Sequence, residues 1–199
     1  MALVAVSKTV PAERLVEAFA AGITTFGENR VQEALAKADA VPGASWHLVG
    51  PLQSNKARRA AALFDVIQTV DSVELAARLS QVVAAGGSLS VLLQVNVDAD
   101  PAKTGFSPAG VAEGLAAILT LPGLRVEGLM TVGRLVEIAE EARPTFRALR
   151  ELSERLRADH PRLGPALSMG MTDDFEVAVE EGATIVRVGR AIFGERSLA

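Results

Sequence analysis

Leu3-Val4-Ala5-Val6-Ser7-Lys8 opens the chain with a short apolar run ending on a cation, and Thr184-Ile185-Val186-Arg187-Val188-Gly189-Arg190 nearly closes it with a second run that carries a cation inside. Runs of this kind recur at residues 3–7, 24–27, 46–50, 66–69, 89–97, 125–130, 166–169 and 184–188. Between them lie stretches with apolar spacing near 3.6: Leu15/Phe19, Val31/Leu35, Leu75/Leu79/Val82, Val111/Leu115/Ile118 and Phe146/Leu149/Leu152/Leu156. Strands that alternate with helices from end to end predict parallel βα units. Eight of them close most economically into a (β/α)8 barrel, an α/β TIM-type fold with its chemistry at the C-terminal strand ends, and an open doubly wound sheet is the alternative.

At 199 residues the chain suits one domain, residues 1–199. Hydrophobic residues make up 49%, yet Gly, Pro or charge breaks every apolar run before the roughly 18 residues that span a bilayer. No basic stretch precedes the first run, so no export signal is read and a cytoplasmic location is expected. The absence of Cys agrees with that and excludes disulfides and thiolate metal sites, and with only two His a catalytic zinc site is not expected. A net charge of −4, one Trp, seven Phe and no Tyr argue against nucleic acid, which wants a basic surface and stacking aromatics. The Arg-rich stretch 143–157 interleaves Glu151 and Glu154 and reads as the solvated face of a long helix.

Helix boundaries follow capping chemistry: Asp71 or Ser72 for the fourth helix, Ser107-Pro108 for the fifth, Thr172-Asp173-Asp174 for the seventh, which stops at Gly182, and Ser54 for the third. Asn29 with Gln32 has the spacing of a capping box. After residue 188 too little chain remains for a full eighth helix, so the flank beside the last strand needs other cover.

Lys8 and Arg187 carry the chemical interest. Desolvation at the end of a buried strand favours a neutral lysine, and a neutral lysine amine attacks aldehydes. The bland alternative is a lysine that snorkels to solvent. Arg187 keeps its charge and needs a partner inside the barrel. The ring nitrogen of pyridoxal phosphate is such a partner, because a guanidinium donates to it and leaves it unprotonated. Barrel phosphate sites sit in the loops after strands seven and eight. Both loops carry glycine here, at Ser168-Met169-Gly170-Met171-Thr172 and Val188-Gly189-Arg190. Asp173 and Asp174 would repel a phosphate on the axis of the seventh helix. The expected phosphate position is therefore between the Ser168 or Thr172 hydroxyls and the Gly189 and Arg190 backbone N–H groups. His47 is either a hydrogen-bonded core residue or a ligand contact, and His160 is assigned no role.

The segments AVSKTVPAE, FGENRVQEAL, WHLVGPLQSNK, LLQVNVDADPAKTGF, GLMT and LSMGMTDDFEVAVEEGATIVRVGRAIFGER, in that order, closely resemble the pyridoxal phosphate homeostasis protein family, whose fold is similar to the barrel domain of alanine racemase. The resemblance covers nearly the whole chain. It implies that Lys8 forms a Schiff base with the aldehyde of pyridoxal 5'-phosphate, that Arg187 faces the pyridine nitrogen, that Ser168, Thr172, Gly189 and Arg190 hold the phosphate, and that Asn29 lies beside the cofactor. It also implies a carrier or regulator of vitamin B6 supply without established turnover, with amino acids and pyridoxal-phosphate-requiring apo-enzymes as further partners. The sequence departs from the family twice. The first strand begins at Ala2 or Leu3, lacking the usual leading helix, and Val132-Gly133-Arg134-Leu135-Val136 stands where a Pro-rich polar loop is expected.

Two enzyme readings compete with the carrier. One is an amino-acid racemase using pyridoxal phosphate, for which the lack of Tyr leaves no evident second proton donor. The other is a sugar-phosphate barrel enzyme with Lys8 as Schiff-base former.

Overall fold

A computed structural model describes residues 1–83, 86–134 and 136–194. Eight parallel strands pair in chain order and close: β1 (Ala2–Val6), β2 (Thr25–Glu28), β3 (Ser45–Leu48), β4 (Val66–Val70), β5 (Leu89–Gln94), β6 (Leu124–Met130), β7 (Ala166–Ser168) and β8 (Ile185–Val188). The barrel is thus the architecture, and the open sheet is excluded by the β1–β8 pairing, in which Val4 lies opposite Arg187 and Ala5 opposite Val188. The helices are α1 (Ala12–Ala20), α2 (Val31–Lys37), α3 (Ala57–Leu63), α4 (Val73–Val82), α5 (Val111–Ile118), α6 (Arg143–Asp159), α7 (Phe175–Glu180) and α8 (Arg190–Phe193). Among the described residues no helix is long and apolar enough to cross a membrane.

Because side chains alternate along a strand, each strand feeds two cores. Outward residues such as Ala5, Phe26, Leu48, Ile67, Leu93 and Leu129 pack under the helices, where Leu15, Leu79, Leu115, Phe146 and Leu149 are fully or almost fully buried. Inward residues share the barrel axis. Val4, Leu92 and Met130 are buried there, and they share the space with polar His47, Gln68, Ser168 and Arg187. The apolar period locates the elements to within a few residues at their ends, and the caps depart where local geometry overrides the residue type. Ser72 caps α4 as expected, its Oγ accepting from Leu75 N at 3.2 Å. Ser54 does not cap the third helix. A 3₁₀ turn over Ser54–Lys56 comes first, with Gln53 at the cap position and no side-chain bond. Ser107 instead accepts from Gly110 N at 3.0 Å, closing a turn ahead of α5. Asp174 sits at the cap position of α7 but turns back to accept from Met171 N, and Gly182, at φ +92, ends that helix.

Arg143, Arg147 and Arg150 of α6 are more than a solvated face. All three reach Glu181, whose side chain is 7% exposed, so the long helix is pinned to the end of α7. At the opposite flank, α8 has only four residues, and Leu3 on β1 remains 42% exposed. Position 135 of the departing loop lies outside the described residues, and α6 begins at Arg143 after a 3₁₀ turn over Ala139–Ala142.

Closure of the barrel between β6 and β7 depends on Gly128. Its φ is +155, and a Cβ there would stand 1.9 Å from Ala166 O on β7, beside the register shift between β5 and β6. Neither a strand backbone nor a paired carbonyl can yield that distance cheaply. Gly128→Ala is expected to destabilise the fold by on the order of 3 kcal/mol or more, read from the denaturant midpoint; a change under about 0.5 kcal/mol would contradict this account of the closure.

Candidate cofactor site

The C-terminal strand ends form one rim, and the two quoted termini of the sequence meet on it. Past β1 the chain turns at Ser7-Lys8-Thr9-Val10, closed by Val10 N donating to Ser7 O at 3.0 Å. Thr9 has φ +65, a left-handed conformation that a β-branched residue rarely adopts. Only Thr9 of the two central residues has positive φ, which is the pattern of a type II turn. Lys8 therefore stands on a turn just beyond the strand and is half-buried.

Beneath this turn lies a buried ion pair that sequence reading overlooked. Glu28 ends β2 fully buried, and its Oε1 accepts from Lys37 Nζ at 2.7 Å and from Ser7 Oγ at 2.8 Å. Lys37 Nζ also donates to Ser7 O at 2.8 Å, and Glu33 Oε2 accepts from Thr9 N at 3.3 Å. Burial pushes the Glu28 carboxyl up, while Lys37 and Ser7 act against that. The signals in the sequence were Glu28, a polar residue at the end of the second strand, and a lysine in the last turn of α2 on the same helical face as Ala34, a position easily taken for a solvated end.

Arg187 projects inward from β8 and is 5% exposed. It donates from NH1 to Ser168 Oγ at 2.6 Å and from NH2 to Thr131 O at 2.7 Å. Burial lowers its pKa to about 10, opposed by Asp174, so it stays charged at neutral pH. Among the described residues no carboxylate lies within ion-pair distance of it. The Ser168 hydroxyl, in turn, is 2.6 Å from Gln68 Oε1, and Gln68 Nε2 is 2.8 Å from His47 Nδ1. Arginine can only donate, and this fixes the direction of the whole chain. Ser168 accepts from Arg187 and donates to Gln68, whose amide donates to His47 Nδ1, leaving the ring proton on Nε2. Ser168 is completely buried in this chain, so its hydroxyl is committed to Arg187 and Gln68 beneath the rim.

The two glycine-bearing loops touch. Thr172 Oγ1 accepts from Gly189 N at 3.3 Å, and the Arg190 side chain pairs with Asp173. That pair offsets one of the two acidic charges at the start of α7, and Asp174 is buried with its carboxyl pKa raised by desolvation. Asn29 follows Glu28 on the same rim, with Gly50 against its backbone so closely that a Cβ at Gly50 would lie 2.4 Å from Asn29 O. The expected Asn29–Gln32 capping box is not formed: α2 begins at Val31, Arg30 takes the cap position, and no side chain caps the helix. Lys8, Thr172, Arg187, Gly189, Arg190 and Asn29 thus all lie on the rim or just below it, and Ser168 lies deeper.

Burial holds His47 at about 4, well below the ordinary imidazole value of 6.5. Because the folded value lies under the unfolded one, the unfolded chain binds more protons between the two. Stability from this residue is complete above about pH 6.5 and is lost as pH falls through about 4. Between those limits the wild type should lose about 3 kcal/mol relative to His47→Leu in denaturant titrations. A gap between the two proteins that does not change with pH would contradict a neutral, locked His47.

The family model described as alanine racemase, N-terminal domain, matches residues 1–197. The pyridoxal phosphate homeostasis protein of Aquifex aeolicus (strain VF5) is 42% identical over 197 residues, covering 98% of this chain and 86% of that protein. That of Pseudomonas aeruginosa is 44% identical over 198 residues, covering 98% and 84%. Among solved structures, PipY of Synechococcus elongatus PCC7942, determined without and with PLP bound, superposes with TM-scores of 0.91 and 0.89 at 44% and 43% identity, covering 96% of this chain and 92% of PipY. The alanine racemase of Clostridium difficile 630, at 12% identity and a TM-score of 0.81 over 98% of this chain and 53% of its own, shares the fold. The chain belongs to the pyridoxal phosphate homeostasis protein family, built on the barrel of the alanine racemase N-terminal domain.

Proposed function

We propose that this protein binds pyridoxal 5'-phosphate covalently through Lys8 and serves its intracellular homeostasis, as a cytoplasmic carrier or regulator without turnover. The observation that carries the reading is Arg187: a buried guanidinium that neutral oxygens hold in place, and to which no carboxylate comes within ion-pair distance among the described residues. A pyridine nitrogen is an uncharged acceptor suited to it, and a guanidinium that cannot give up its proton keeps that nitrogen unprotonated. The donor set fits the rest of the cofactor. An amine stands on the adjacent turn, and a hydroxyl and an N–H meet at Thr172 and Gly189.

When bound, the cofactor supplies an aldehyde and, with its ring nitrogen unprotonated, only a weak electron sink. Lys8 would supply the amine that condenses with that aldehyde, its two protons leaving with the aldehyde oxygen as water. Thr172, Gly189 and the Arg190 backbone take the phosphate, with Asn29 beside the ring. Ser168 is assigned a different part from the one its loop suggests: it holds Arg187 rather than the phosphate. The absence of Tyr from these 199 residues supports a site that does not complete racemisation. Amino acids and pyridoxal-phosphate-requiring apo-enzymes remain the partners proposed for delivery. PipY, described with PLP bound at 43% identity, supports the choice of ligand.

Borohydride reduction after incubation with pyridoxal 5'-phosphate should fix one cofactor mass on the Lys8 peptide. Lys8→Ala should lose it while still binding the cofactor weakly, and the wild type should exchange no Cα proton of L-alanine in deuterated water. Full labelling of Lys8→Ala, or exchange at an enzymatic rate, would overturn the reading.

A further inference from the structure

The Lys8 turn is an unfavourable one. A left-handed φ at the third position of such a turn suits glycine or asparagine, yet Thr9 occupies it at φ +65. What holds it there is visible. The Ser7–Lys8 peptide carbonyl accepts from both Val10 N and Lys37 Nζ, the Ser7 hydroxyl is bound by Glu28, and the Thr9 N–H is bound by Glu33. Glu28 reaches from β2 and Lys37 and Glu33 from α2, so one short segment of the neighbouring βα unit governs the backbone on both sides of Lys8. The pair is also incompletely satisfied: Glu28 Oε2 is buried without a hydrogen-bond partner. A fold seeking stability alone would replace such a pair with apolar side chains, because buried ion pairs recover little of their desolvation cost.

We infer that Glu28 and Lys37 are positioning residues for Lys8, a buried clamp that keeps its turn in the strained conformation from which the amine reaches the cofactor aldehyde. The inference rests on the proposed role of Lys8. In this arrangement the ordering of the turn is completed by the fold before any ligand arrives, so bond formation at Lys8 is not charged with it. Neither residue need touch the ligand.

The test replaces the pair by apolar residues of similar length, Glu28→Met with Lys37→Met, a change that buried ion pairs commonly tolerate without loss of fold. Two ligands are compared: pyridoxal 5'-phosphate, read by the borohydride-trapped mass at Lys8, and 4'-deoxypyridoxine 5'-phosphate, which has the ring and phosphate but no aldehyde. The adduct equilibrium should weaken about tenfold or more while the affinity for the aldehyde-free ligand changes less than about twofold. Adding Thr9→Gly should restore the adduct, because glycine holds the left-handed turn unaided. An adduct equal to the wild type's in the double variant, or equal losses for both ligands, overturns the clamp. If the double variant does not fold, the near-isosteric Glu28→Gln takes its place: it should weaken the adduct and Thr9→Gly should restore it, and an adduct equal to the wild type's overturns the clamp too. A wild type unlabelled at Lys8 would instead overturn the functional reading, and this role with it.

Discussion

Pairing of the first strand with the last is the constraint on which the site depends. Opposite Val4 stands Arg187, and opposite Ala5 stands Val188, so that the turn bearing Lys8 and the loop bearing Gly189 leave the sheet side by side although they are nearly the whole chain apart. Parallel closure also brings all eight C-terminal strand ends to one rim, where a single ligand can meet residues from β1, β2, β7 and β8. Slippage of that pairing by one residue would turn Arg187 out of the barrel and under the helices. The closure and the chemistry are thus one arrangement.

Around that seam the interior is built from charge that is directed rather than neutralised. Arg187 sets the polarity of a hydrogen-bond chain through Ser168 and Gln68 to His47, and burial keeps His47 neutral so that the chain can end on an accepting nitrogen. On the other side of the rim, Glu28 and Lys37 hold a backbone turn. Both devices bury polar groups at a cost in stability, and both act on a residue that faces the proposed ligand. Conflicts between local preference and global fold collect where function is expected.

The barrel was legible because eight apolar runs alternate with helical periods, and period is the most robust signal in a sequence. Lys8, Arg187 and the two glycine loops were legible for a related reason, as cations or turns at strand ends. The shortfalls have a common cause. Ser168 and Thr172 look alike in sequence, both hydroxyls in one glycine-bearing loop, and only the inward direction of β7 brings Ser168 to Arg187 and Gln68. Gln68 and His47 lie 21 residues apart and meet across adjacent strands, a contact that no spacing rule encodes. The Asn29 cap failed because α2 starts one residue late, and Lys37 hid as the ordinary basic end of a short helix.

The central claim is that the two ends of the chain grip one molecule. A crystal structure of the protein grown with pyridoxal 5'-phosphate tests it most directly. The account predicts continuous density from Lys8 Nζ into the ligand, its ring nitrogen at hydrogen-bond distance from Arg187, and its phosphate against Thr172 and Gly189. Density for the ligand elsewhere, with Lys8 unmodified and Arg187 still bound only to Ser168 and Thr131, would contradict it.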